Sequence, residues 1–142
     1  MTRDTVEELL RRIGGGDPDR TAELFADEID WQLNWPAEGH PAVPWIRPRT
    51  GRRDMAEHFR LLDAHHVPEL DGTTVERILV DGKDAVVTGE LVRTARATGK
   101  AFTCAFALHL TIEDGLVTRF YLYEDSLSVF RAHTGGDAGA DS

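Results

Sequence analysis

Three glycine-bearing turns divide the second half of the chain into four β-rich runs, and this constrains the fold more than any other feature. The runs are Thr73 to Val80, Ala85 to Arg96, Ala101 to Ile112 and Val117 to Glu124, joined at Asp81-Gly82, Thr98-Gly99 and Asp114-Gly115. Connections this short leave neighbouring runs one arrangement, the antiparallel hairpin, because a parallel pair needs a crossover of about a dozen residues or more. A four-strand meander is expected.

The first half is helical. Thr5-Val6-Glu7-Glu8 has the form of a capping box, and Val6, Leu9, Leu10 and Ile13 follow as one apolar stripe that Gly14-Gly15-Gly16 ends. Asp17-Pro18 restarts a short helix expected to carry Ala22, Leu24 and Phe25. Ile29, Trp31, Leu33 and Trp35 alternate with Asp30, Gln32 and Asn34, the period of a strand, which stops at Pro36. Either row of that strand is able to face inward. The stretch from Pro36 to Gly51 holds Pro41, Pro44, Pro48, His40 and Trp45, and reads as a lid or rim loop. A third helix is expected from Arg52 to His66, with Met55, Phe59, Leu62 and His66 on one line. Asp125 is placed to cap a last helical turn, after which Thr134 to Ser142 reads as a disordered tail. Residues 1–133 form a single α+β domain in this reading.

Composition narrows the partners. A net charge of −9 and a pI near 5.0 repel a phosphate backbone, and the basic cluster Arg47, Arg49, Arg52 and Arg53 has no aromatics interleaved for base stacking, so no nucleic acid is expected. No run approaches the roughly 18 apolar residues of a membrane span. The single cysteine, Cys104, excludes an intrachain disulfide and fits a cytoplasmic protein. No cofactor is expected, since neither a Walker loop nor a dinucleotide fingerprint occurs. No metal is expected either, because His65 and His66 point in different directions on a helix.

Helix, helix, strand, proline-rich loop, helix and meander is an order that resembles the SnoaL-like branch of the nuclear transport factor 2-like superfamily, relatives of ketosteroid isomerase and limonene epoxide hydrolase. The resemblance is carried by Leu24-Phe25-Ala26-Asp27-Glu28, Asn34-Trp35-Pro36, Thr50-Gly51-Arg52, Asp114-Gly115-Leu116-Val117 and Tyr121-Leu122-Tyr123-Glu124-Asp125-Ser126. It implies a cone-shaped, strongly curved antiparallel sheet wrapped around the N-terminal helices. A pocket for a small hydrophobic molecule on the concave face and a homodimer through the convex face are implied with it. The carboxylate base of ketosteroid isomerases falls on Trp35. The Arg/Asp pair of limonene epoxide hydrolases falls on Gly89 and Leu91, and their second aspartate on Leu122. Asn34 alone matches their water-holding asparagine.

Any catalysis therefore needs another set of groups. With a two-residue turn at Asp114-Gly115, His109 pairs opposite Phe120 and shares its face with Leu122 and Glu124, a histidine and an acid as SnoaL-like cyclases use them. Catalytic candidates are His109 as proton shuttle and Glu124 or Asp125 as its acid. Candidates for substrate contact are Asn34 holding a substrate oxygen, with Trp31, Trp35, Trp45, Phe59, Phe120 and Leu122 as apolar wall. The expected function is a cofactor-independent cyclase or isomerase acting on a polyketide- or terpenoid-like compound. The alternative is a carrier that binds such a molecule without converting it.

Overall fold

The computed structural model describes residues 1–36 and 38–134. Its elements run α1 (Thr2–Gly15), α2 (Pro18–Ala22), β1 (Phe25–Leu33), α3 (Arg52–His65), a 3-10 turn (Pro68–Leu70), β2 (Thr74–Asp81), β3 (Asp84–Thr94), β4 (Ala101–Glu113), β5 (Leu116–Glu124) and α4 (Ser126–Thr134). The fold is α+β, and β2 to β5 form the expected antiparallel meander. Both central residues of the β4–β5 turn are left-handed, Asp114 at φ 53° and Gly115 at φ 75°, the twist that an Asp-Gly hairpin supplies.

The sheet is mixed, not wholly antiparallel, because β1 runs parallel to β5 in the order β1-β5-β4-β3-β2. A hairpin could not produce that pairing. The connection from β1 to β5 contains α3 and the whole meander, long enough to bring the chain back in the same direction. The sheet stays open, with β1 and β2 as its edges.

Strand β4 separates the two faces. Its even residues from Phe102 to Ile112 are all buried, whereas Ala101, Thr103 and Ala105 are exposed. The inner face is covered by α1, α3, α4 and the segment before α3, and the Phe25, Phe59 and Phe120 rings meet at centroid distances of 6.1, 5.8 and 6.3 Å. Each such side chain contributes about 1.5–3 kcal/mol by leaving water.

Several boundaries differ from expectation. Helix α1 begins at Thr2, so Thr5 lies inside it, its hydroxyl donating to the Met1 carbonyl, and Glu8 pairs with Arg11 and Arg12 instead of closing a capping box. Leu24 and Phe25 are not helical: α2 ends at Ala22, and fully buried Phe25 opens β1 opposite Val117. The proline-rich stretch is no rim, since Val43, Trp45, Ile46 and Arg49 are all buried. Thr134 belongs to α4, and the tail expected over 135–142 lies outside the described residues. Gly51 seats the start of α3 against β1, where a Cβ would stand 2.3 Å from the Asp27 carbonyl oxygen.

Candidate functional site

The β1–β5 register settles which row of β1 faces inward. Trp31 pairs with Phe120 and Leu33 with Leu122, so the apolar row joins the inner face, while Asp30 and Gln32 lie with Arg119 and Tyr121 on the outer one. Trp31 packs edge-on against His58 of α3, at 5.9 Å between ring centroids. Its indole N–H is buried without a partner among the described residues.

Glu124 continues the inner row of β5 opposite Phe106. One carboxylate oxygen accepts a hydrogen bond from Trp35 Nε1 at 2.9 Å. Loss of water raises the Glu124 pKa; the Trp35 bond and the Arg93 charge oppose that rise and the neighbouring Asp125 adds to it. A carboxyl in this setting holds a proton more readily than one in water, the condition for general acid or base work. Arg93 went unnoticed in the sequence. It sits opposite Phe102, is mostly covered, lies 3.7 Å from Asp71, and its charge reaches Glu124, His58 and Cys104. His58 was also missed: it is fully enclosed, its Nδ1 lies 3.3 Å from the Trp45 carbonyl oxygen, and burial drives its pKa to about 3. It is a neutral imidazole. Cys104 is buried and its thiol is pushed up by desolvation, so it is inert.

His109 does not join this group. A bulge at Thr118 inserts one residue into β5, so Ile112 pairs with Val117 but Thr111 with Arg119, and His109 then stands opposite Tyr121, not Phe120. That turns the imidazole to the outer face, where Nε2 lies 3.0 Å from Asp84 Oδ1, an oxygen that Thr111 also donates to at 2.7 Å. Asp84 is held below its ordinary pKa by the Thr111 and His109 bonds.

Two further candidates have structural work. The Asn34 amide donates to the Glu124 carbonyl and accepts from the Glu124 N–H, both at 3.0 Å, which extends the parallel ladder past Leu33 and leaves one amide N–H for another acceptor. Asp125 caps α4, accepting from the Ser128 N–H at 3.2 Å and hydroxyl at 2.7 Å, and these bonds lower its pKa. Asp125→Ala should cost about 1 kcal/mol, read as a small drop in thermal midpoint and faster amide exchange confined to α4.

Of the wall residues, Trp45, Phe59 and Phe120 are buried in the core, whereas Trp31, Trp35 and Leu122 are half-buried. An open groove of about 690 Å³ runs between Asp27–Ile29 and Thr50–Asp54, but no candidate residue lines it. Among the described residues no three metal-ligating side chains converge, and no helix is long and apolar enough to cross a membrane. Arg49 of the basic cluster pairs with Glu57, as does Arg47, and Arg52 with Asp27.

Residues 6–120 match the model of the SnoaL-like domain family. The chain belongs to that family. Solved structures share its fold at low sequence identity. An NTF2-like protein from Burkholderia thailandensis superposes with a TM-score of 0.77 at 20% identity, covering 93% of this chain and 96% of that one. A protein of ketosteroid isomerase-like fold from Catenulispora acidiphila, in complex with trimethylamine, gives 0.75 at 17%, covering 94% of each chain. A protein assigned as a SnoaL-like polyketide cyclase from Mesorhizobium loti gives 0.68 at 18%, covering 87% of this chain and 98% of that one. A sequence search of curated proteins gives no match.

Proposed function

We propose that this SnoaL-like protein binds a small, largely apolar molecule on the inner face of its sheet and transfers a proton to or from it through Glu124. The observation that carries this reading is the Glu124 carboxyl itself: it is desolvated, faces inward, and is bonded by Trp35 alone among the described side chains. Half-buried Trp31, Trp35 and Leu122 supply apolar surface on the same face, and the partnerless Trp31 N–H is a donor for a ligand carbonyl. Proton transfer of this kind is cyclase or isomerase chemistry on a polyketide- or terpenoid-like compound, and it needs no cofactor. Structural relatives named for isomerase-like folds and for a polyketide cyclase support it.

Binding without conversion is the second reading. It is favoured by the outward turn of His109, which leaves Glu124 without the imidazole partner expected from the sequence. The setting in both readings is cytoplasmic, and the functional unit a homodimer through the outer face. Exposed Leu79 and Tyr123 lie on that face.

The test is ligand capture. Native mass spectrometry of the protein from its own host should reveal a bound small molecule, and titration with polyketide- and terpenoid-type ketones should change tryptophan fluorescence saturably. Leu122→Arg, which drives a charge into that surface, should lower affinity at least tenfold. No captured molecule and no saturable response to any ketone would end both readings.

A further inference from the structure

His66 at the C-terminal end of α3 and His133 on α4 are 6% and 7% exposed, and their Nε2 atoms lie 3.0 Å apart. Each ring is anchored at its other nitrogen: His66 Nδ1 lies 2.8 Å from the Leu62 carbonyl oxygen, and His133 Nδ1 2.8 Å from that of Val129. A carbonyl oxygen only accepts, so both Nδ1 atoms must carry hydrogen. Two neutral rings have two N–H hydrogens between them, and both are then spent on the carbonyls. The Nε2 atoms are left facing each other as two lone pairs at hydrogen-bond distance. A third hydrogen turns that repulsion into a charge-assisted N–H···N bond.

We propose that His66 and His133 hold one extra proton between them, and that this proton latches α4 over the end of the inner face. Geometry around the pair favours a single charge. The Trp45 ring stands 4.9 Å from His66 and 4.8 Å from His133, and Phe102 lies 6.1 and 5.7 Å away, giving the cation an aromatic enclosure. The charged and titratable groups that face it are Arg93 from β3 and His65 from α3, while Arg96, in the connection from β3 to β4, donates to the His66 carbonyl. Burial, with Arg93 behind it, drives the His66 pKa to about 3 and also lowers that of His133. Both shifts oppose the charge, so the shared proton is taken up only on the acid side, held between the two Nε2 atoms, and a second proton is shut out. Only two donors converge, so a metal would lack its remaining ligands among the described residues.

Val129 and Ala132 of α4 are buried in the core, His40 meets the Phe130 ring at 4.9 Å, and Thr98 donates to the Ala132 carbonyl. Loss of the shared proton as pH rises sets the Nε2 repulsion against this packing and lets the end of α4 lift, and uptake as pH falls closes it. That lifting admits a ligand is a consequence that rests on the function proposed above; the latch itself does not.

The experiment is nitrogen NMR of the full chain labelled with ¹⁵N-histidine, followed downward from pH 8, with hydrogen exchange of the α4 amides alongside. Both Nε2 signals should move together with one midpoint, and α4 protection, corrected for intrinsic rates, should rise about tenfold on the acid side. His133→Phe keeps the ring packing and should remove both effects; His66→Phe should do the same, and serves if the first variant fails to fold. Separate midpoints, no titration before global unfolding, α4 protection indifferent to the step, or a step that zinc or a chelator displaces would each overturn the latch. None of these readouts needs a ligand, so failure of the latch is distinguishable from failure of the binding reading.

Discussion

Glu124→Gln should lower turnover of a converted ligand by about 10²- to 10⁴-fold and leave its affinity nearly unchanged. The amide keeps an oxygen for the Trp35 indole, so the shape of the inner face survives while the exchangeable proton is lost. A second signature appears in stability. The Glu124 pKa is raised by burial above its ordinary 4.5, so the unfolded chain releases this proton at lower pH than the folded one. Wild type therefore loses stability as pH rises from 4.5 through the raised value and levels off above it; Glu124→Gln should lack that loss. Chemical denaturation across the pH series measures it. His109→Ala is the control, because it removes an outer-face contact to Asp84 and touches nothing on the inner face. Equal loss of turnover in His109→Ala would return the chemistry to the histidine and refute the Glu124 assignment. Full turnover in Glu124→Gln would remove Glu124 from the chemistry, and no conversion of any bound ligand by the wild type would leave the protein a binder.

Much of this architecture was legible because it depends on local chemistry. Turns such as Asp114-Gly115 need left-handed backbone, and glycine or aspartate advertises that in the sequence. The helical stripe of α1 and the Asp17-Pro18 entry to α2 are equally local. The site was harder to read because it depends on register. A single inserted residue, Thr118, decides whether His109 or Leu110 stands beside Phe120, and a bulge leaves no distinctive residue type behind. A signal was nevertheless present. Phe102, Cys104, Phe106, Leu108, Leu110 and Ile112 form an unbroken apolar row on the even positions of β4, and a strand buries the row with more apolar area, so His109 belonged to the other face. Parallel pairing of β1 with β5 had no such marker, since it joins segments separated by some eighty residues of chain. Arg93 and His58 escaped for a related reason: an arginine in a polar-looking strand end and a histidine in a charged helix are solvated by default, and only tertiary packing encloses them.

Trp45→Ala should cost about 3–5 kcal/mol of stability and lower the thermal midpoint by roughly 10 °C or more. The described residues of the proline-rich segment form no helix or strand, so it stays inside the fold through a few anchors, and Trp45 is the largest of them, only 3% exposed. The indole packs against His65, His66 and His133 at 5.7, 4.9 and 4.8 Å, which ties the loop to both α3 and α4. Its own carbonyl accepts from buried Arg49 at 3.1 Å and lies 3.3 Å from His58, so a shift of this one residue also strips partners from two enclosed polar side chains. A wall of a ligand site behaves differently: truncating it enlarges the site and changes ligand preference at small cost to the fold. Calorimetry therefore separates the two roles. A drop of only a degree or two, with altered ligand selectivity, would place Trp45 back at the binding surface; the large drop makes it the keystone that fixes the depth of the inner face from behind.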